Sequence, residues 1–415
     1  MIKFTNGLVL DENFEIIKKD VFVEGNKIVA IGSYDKRADT VYDLKGNLLM
    51  PSFKNAHSHS AMTFARSFAD DLPLQEWLNT KIFPMEAKLT AEDIYNLSAL
   101  AFLEYITSGI TACFDMYYFP EAMAKASTDF TFRTVMCGAV SNFRESADIL
   151  ENFYKTYNNY DELVSYKFGF HAEYTASLEL MKEISRLAEK YEAPVFTHSS
   201  ETQEEVKDCI ERYGKTPTEL FDSLGLFNYG GGAFHSVWVN ENDLDIYKEK
   251  NVWAVINAGS NCKLASGIAP VTKMQKKGIN LAIGTDGPSS NNALDMFREM
   301  FLIAATQKIN DMDASSADAN GILKMATVGS AHCMGLNDCD VIKEGKTADL
   351  IVIDLHRPNM QPINNITKNL VYSGSKENVL MTMINGKIVY DNREFIGIDT
   401  ERIYANAQAV IDRIK

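Results

Sequence analysis

The 415-residue chain is short of several things, and each shortage excludes something. It has 10 prolines and no Pro/Ser-rich stretch, so nothing marks a flexible joint between independent halves. Basic residues are outnumbered, 41 Lys and Arg against 56 Asp and Glu, for a net charge of −15. A sequence-independent grip on nucleic acid or on an anionic membrane is therefore not expected. No uninterrupted apolar run approaches the ~18 residues that span a bilayer. Met1 to Glu12 alternates apolar and polar residues without a signal-peptide core. The 6 cysteines are scattered, with no C-x-x-C pair, and read as reduced thiols of a cytoplasmic protein. The expected partners are small molecules, with homo-oligomerisation left open. Histidine is rare too, with only 7 in the chain.

What is present is patterned. At 46% hydrophobic and 23% charged, the composition is that of an ordinary globular protein. Both ends read as β structure. Residues 21–30 are two β-rich runs about Gly25-Asn26, and Val379 to Ile384 with Lys387 to Tyr390 flank Asn385-Gly386; both are hairpin signals. Asp349 to Asp354 is a short apolar strand. Between the ends, short apolar runs (Thr111–Phe114, Lys167–Phe170, Pro194–Thr197, Val252–Ile256, Asn280–Ile283) alternate with helical stretches. Thr90 and Asp93 form a capping-box pattern that opens a helix stopping at Gly109. Strands separated by helices in this way imply parallel β/α units. The expected fold is an α/β protein: a (β/α)8 TIM barrel over residues 52–345, with a small β-sandwich domain assembled from residues 1–51 and 346–415.

The few histidines fall where chemistry is expected. His57 and His59 form an H-x-H, and residues two apart on a strand face the same way, so both imidazoles can reach one cation. His198 and His235 each end an apolar run, and Glu201 follows His198 by three residues. Asp286 follows the apolar run Leu281-Ala282-Ile283. Singly, His198 and His235 are each more often satisfied core or surface residues, and Asp286 is as often a plain turn residue. Jointly they lie at C-terminal strand ends, where barrel enzymes carry their working side chains. Three neutral nitrogens and a carboxylate suit Zn²⁺, or Fe²⁺ and similar ions, with a position open for water. Such an ion brings the water's pKa from ~15.7 towards ~7, so metal-assisted hydrolysis is the expected chemistry.

The stretches Asn55-Ala56-His57-Ser58-His59-Ser60-Ala61-Met62, Phe83-Pro84-Met85-Glu86-Ala87-Lys88-Leu89-Thr90, His198-Ser199-Ser200-Glu201-Thr202, Ser260 to Val271, Thr285 to Met296 and Gly345-Lys346-Thr347-Ala348-Asp349-Leu350 resemble the amidohydrolase superfamily. Within it, the chain looks most like the deaminase and chlorohydrolase branch, and specifically the 5-methylthioadenosine/S-adenosylhomocysteine deaminases. The resemblance implies one divalent metal ion, held by His57, His59, His198 and Asp286. It implies an aminohydrolase acting on C–N bonds of cyclic amidines, in which metal-bound hydroxide deaminates an adenosine-type nucleoside and ammonia leaves. Carried over, Glu201 shuttles a proton to the substrate ring, His235 orients the water, and Asp286 passes the water's proton to ammonia. Glu86 is implied to bind ribose hydroxyls and His171 to contact substrate. Arg144 is the implied contact for a homocysteine carboxylate. Two departures bear on the substrate. His171-Ala172-Glu173 puts a carboxylate where the family often has Pro, which would favour a cationic or donor-rich substrate group, and a basic residue near Gly138 is missing. S-adenosylhomocysteine is therefore expected to be a poorer substrate than an uncharged adenosine-type nucleoside. The alternatives are another amino- or chloro-heterocycle of guanine, cytosine or triazine type, and a non-catalytic barrel.

Overall fold

A computed structural model describes residues 1–143 and 146–415. Eight parallel strands follow one another in a single sheet: Phe53–Ser58, Ile110–Met116, Arg133–Cys137, Val164–Ala172, Val195–Ser199, Gly231–His235, Val252–Ile256 and Leu281–Ile283. The last returns to the first. Asp286 N donates to His57 O at 3.0 Å, and the Asn55 and Thr285 side chains reinforce the seam, Asn55 Nδ2 donating to Thr285 Oγ1 at 2.7 Å. The sheet is thus the closed (β/α)8 barrel expected from the sequence.

Both faces of these strands are buried, which is why they read as short continuous apolar runs rather than alternating ones. Inward residues such as Ala56, Phe114, Val135, Phe196, Phe234 and Val255 fill the barrel, while outward ones pack under the helices. Arg133–Cys137, which was not among the strands read from the sequence, takes the third place in order. The helix Ala91–Thr107 begins with the expected capping box at Thr90 and Asp93.

The terminal strands form two further sheets, one of four strands from the first 43 residues and one of seven that joins both ends of the chain. Phe4, Val23, Ile28, Leu49, Leu350 and Met383 meet between them in one core, the expected sandwich. Both expected hairpins are present. The C-terminal region is not all β, however. Its last helix, Thr400–Ile414, carries Ile403, Ala407, Val410 and Ile414 on one face, and buries Ala407, Val410 and Ile414 beside Trp77, Leu78 and Leu97 of the barrel region. Among the described residues no helix is long and apolar enough to cross a membrane.

Sandwich and barrel meet over a buried ionic cluster. Lys54 Nζ donates to Ser52 Oγ at 2.6 Å and Thr111 Oγ1 at 2.8 Å and lies 3.5 Å from Asp349 Oδ2, which Arg133 Nε approaches at 3.3 Å.

Candidate metal centre and active-site cavity

Every strand that carries a candidate ligand delivers it at its C-terminal end. His57 is the penultimate residue of the first strand and His59 lies one residue beyond it. His198 is on the fifth strand and His235 ends the sixth. Asp286 follows the eighth. His235 and Asp286 hold left-handed backbones, with φ of 76° and 58°. Such conformations cost a non-glycine residue on the order of 1 kcal/mol or more and concentrate at functional sites.

The side chains converge. His59 Nε2 is 3.3 Å from His198 Nε2, and His57 Nε2 and His59 Nε2 are each 3.4 Å from Asp286 Oδ1. His235 joins the group from the other side: its ligand atom and those of His57 and His198 lie within 4.8 Å of one another. Donors placed ~2.0–2.2 Å from one tetrahedral ion sit about 3.4 Å apart, so the observed spacing is that of a shared coordination shell.

Neighbouring groups decide which atom of each residue faces the centre. His59 Nδ1 donates to the carbonyl of Met116 at 2.7 Å, and His198 Nδ1 donates to that of His171 at 2.6 Å, leaving both Nε2 lone pairs inward. Asp286 Oδ2 accepts from Ser260 Oγ at 2.6 Å and Ser290 Oγ at 2.9 Å, and Oδ1 from Gly287 N at 2.8 Å. His57 is fully buried, and neither ring nitrogen has a hydrogen-bond partner. Burial lowers its pKa to about 3 and takes that of His198 well below the usual imidazole range, so both rings are neutral. Asp286 is an anion: burial pushes its pKa up, but His57 and His235 hold it well below the carboxylate range. Unpartnered neutral imidazole beside a buried carboxylate is an arrangement that a divalent cation satisfies and an apolar core does not.

Glu201 stands next to this group. Its Oε1 accepts from Ser266 Oγ at 3.3 Å, and Oε2 is 3.7 Å from His235 Nε2. Burial raises its pKa. His235 Nδ1 donates to Asn261 Oδ1 at 2.8 Å, and although burial opposes its protonation, Glu201 and Asp286 raise its pKa.

A cavity of about 370 Å³ adjoins the cluster, walled by Phe83, Glu86, Tyr118, Ser141, Phe143 and His171 among others. The His171 ring is 4.9 Å from that of His198, so the cavity opens beside the candidate ligands. Glu86 and His171 thus both line the space beside the cluster. Arg144 lies outside the described residues. Glu173 does not serve a cationic substrate group as its position in the sequence suggested. It is buried, and its carboxylate is taken by Arg212, whose Nη2 donates to Oε2 at 2.6 Å. Arg212 lies 39 residues further along, on another helix, and no local pattern announces the pairing.

Several residues that support the site were not singled out from the sequence. Ser260, Asn261 and Ser290 lie in stretches that carry the family resemblance, so their motifs were visible without their roles. Tyr117, whose hydroxyl donates to Glu86 Oε1 at 2.6 Å, had no signal at all.

A family model described as the amidohydrolase family matches residues 48–389. The chain is 40% identical over 402 residues to a 5-methylthioadenosine/S-adenosylhomocysteine deaminase of Thermococcus onnurineus, covering 95% of each chain. It is 38% identical to a 5'-deoxyadenosine deaminase of Methanobrevibacter smithii, covering 100% of this chain and 98% of that one. Among solved structures, an adenosine deaminase from Xanthomonas campestris with bound zinc superposes with a TM-score of 0.95 at 32% identity, covering 100% of this chain and 98% of the other.

Proposed function

The chain belongs to the amidohydrolase family, and from that premise we propose that it is a metal-dependent aminohydrolase that deaminates an adenosine-type nucleoside. The observation that carries this is the convergence of four imidazoles and Asp286 beside a buried Glu201 at one barrel mouth. The substrate class rests on the names of the relatives at 32–40% identity given above, which are adenosine-type deaminases.

In this reading His57, His59, His198 and Asp286 hold one divalent ion, most simply zinc as in the Xanthomonas structure, with iron(II) as the alternative. When bound, the ion supplies a Lewis acid that makes water a competent nucleophile near neutral pH. The chain's own residues do the rest. Glu86 and His171 hold the nucleoside in the cavity. His235, fixed by Asn261, orients the attacking water at the amino-bearing ring carbon. Asp286 accepts the water's proton. Glu201 delivers a proton to the adjacent ring nitrogen, which removes the charge that attack would otherwise build there. The amine then takes a proton from Asp286 and departs as ammonia, while the proton left on the added hydroxyl passes back to Glu201, restoring its acid form and leaving the carbonyl product. Arg144 remains the proposed contact for a carboxylate-bearing 5'-substituent.

We also assign the chain to the cytoplasm, on the strength of six free cysteines of which five are buried.

The test is ammonia release from adenosine, 5'-methylthioadenosine, 5'-deoxyadenosine, guanine, cytosine and triazines, with metal analysis of the same sample. Turnover confined to adenosine-type nucleosides and abolished by chelation supports the proposal. Turnover of the other heterocycles alone, or activity indifferent to chelation, overturns it.

A further inference from the structure

We propose that Tyr117 is a positioning residue that makes the enzyme demand a sugar diol, an inference that rests on the proposed role of Glu86 at the ribose. Tyr117 immediately follows the second barrel strand, Ile110–Met116, and so follows the carbonyl of Met116 that receives His59 Nδ1–H. One backbone corner therefore serves two parts of the site. Its first residue fixes an imidazole of the metal cluster, and its second reaches the cavity wall. The Tyr117 ring centroid is 6.4 Å from that of His59, and its hydroxyl donates to Glu86 Oε1 at 2.6 Å. Both residues are buried, at 9% and 7% exposure.

The direction of this bond follows from the groups, because a carboxylate accepts and a phenol donates. Glu86 ends the short helix Phe83–Glu86, whose first residue also lines the cavity. A glutamate at the end of a four-residue helix has three side-chain torsions to settle, and the phenol ties the last of them to the rigid barrel strand. Hydroxyl groups of a bound sugar would meet a carboxylate already held in one plane, and a sugar lacking them would bring no donors of its own to that buried acceptor. Sites built to receive a substrate hydroxyl discriminate strongly against analogues that lack it. Part of that discrimination here belongs to Tyr117, because the carboxylate must be held still for a missing hydroxyl to be felt.

The experiment compares an adenosine-type ribonucleoside with its 2',3'-dideoxy analogue, in the wild type, Tyr117→Phe and Glu86→Gln, with metal content and melting temperature recorded for each. Wild type is expected to favour the ribonucleoside at least ~100-fold in kcat/KM. Tyr117→Phe keeps the ring and loses only the hydroxyl. It should raise KM for the ribonucleoside about 10-fold, hold kcat within about 2-fold, and change the dideoxynucleoside far less, so that the preference shrinks. Equal losses on both sugars, or no change on either, overturn the role of Tyr117 while leaving that of Glu86 intact. A wild type that does not discriminate, or a Glu86→Gln that discriminates as well as the wild type, overturns the ribose role of Glu86 and that of Tyr117 with it.

Discussion

Glu201 and His235 face one another across 3.7 Å in a site where both are almost fully buried, and the proposed proton traffic depends on that placement. Glu201→Gln keeps the volume and removes the titrating oxygen. Metal content is expected to stay at the wild-type level while kcat falls ~10²–10⁴-fold, the usual worth of a positioned general acid. Unchanged turnover would exclude the proton-shuttle role. The cavity makes a second prediction. Its described walls carry one carboxylate, Glu86, and no Lys or Arg. S-adenosylhomocysteine, whose tail brings a carboxylate with Arg144 as its one proposed contact, is therefore expected to show about 10-fold lower kcat/KM than 5'-methylthioadenosine. Steady-state kinetics on the two substrates decide this, and the reverse order would refute it. Glu173 illustrates the limit of reading single residues. Its place beside His171 was legible, but its partner Arg212 was not, because the pairing exists only once two separate elements pack together.

At the scale of elements, the helix Ala91–Thr107 shows how a local pattern acquires a distant duty. Thr90 and Asp93 satisfy the first turn reciprocally, Thr90 N donating to Asp93 Oδ2 at 2.7 Å and Asp93 N to Thr90 Oγ1 at 3.3 Å. The same Asp93 carboxylate binds Arg413 near the end of the last helix. Thr90→Ala is expected to cost about 1 kcal/mol, read by chemical denaturation. Because Asp93 also tethers Arg413, a double-mutant cycle of Thr90→Ala with Arg413→Ala should show coupling above ~0.5 kcal/mol, and strict additivity would separate the two elements. The capping box and helix were legible because they depend on residues three apart. The last helix was not read from the sequence, which assigned its residues to the β domain; its buried face is Ile403, Ala407, Val410 and Ile414, and the surface it covers lies some 320 residues earlier.

Across the whole molecule, the cluster of Lys54, Arg133 and Asp349 ties the sandwich to the barrel and gives folding a pH dependence. Burial alone would raise the Asp349 pKa, but Arg133 and Lys54 bring it down from 3.8 to about 2. A carboxyl whose pKa is depressed by folding adds stability above its unfolded pKa and loses it as pH falls towards the folded value. The loss should therefore fall between about pH 4 and pH 2, and amount to about 2 kcal/mol. Asp349→Asn strands two buried cations and should destabilise by ~3–5 kcal/mol at pH 7. In urea titrations its deficit relative to wild type is expected to shrink towards pH 2, and a constant deficit would contradict the assignment. By itself the sequence determined the barrel class, both hairpins, the capped helix and the residue types of a metal site. Periodicity, turn chemistry and ligand chemistry are properties of neighbouring residues and of the side chains themselves. Only the tertiary structure decided which nitrogen of His59 and His198 faces the centre, that Arg212 claims Glu173, that Tyr117 holds Glu86, and where the last helix docks. Each of these is a contact between segments that the closing of the barrel and its packing bring together, and such contacts leave no trace in the spacing of residues along the chain.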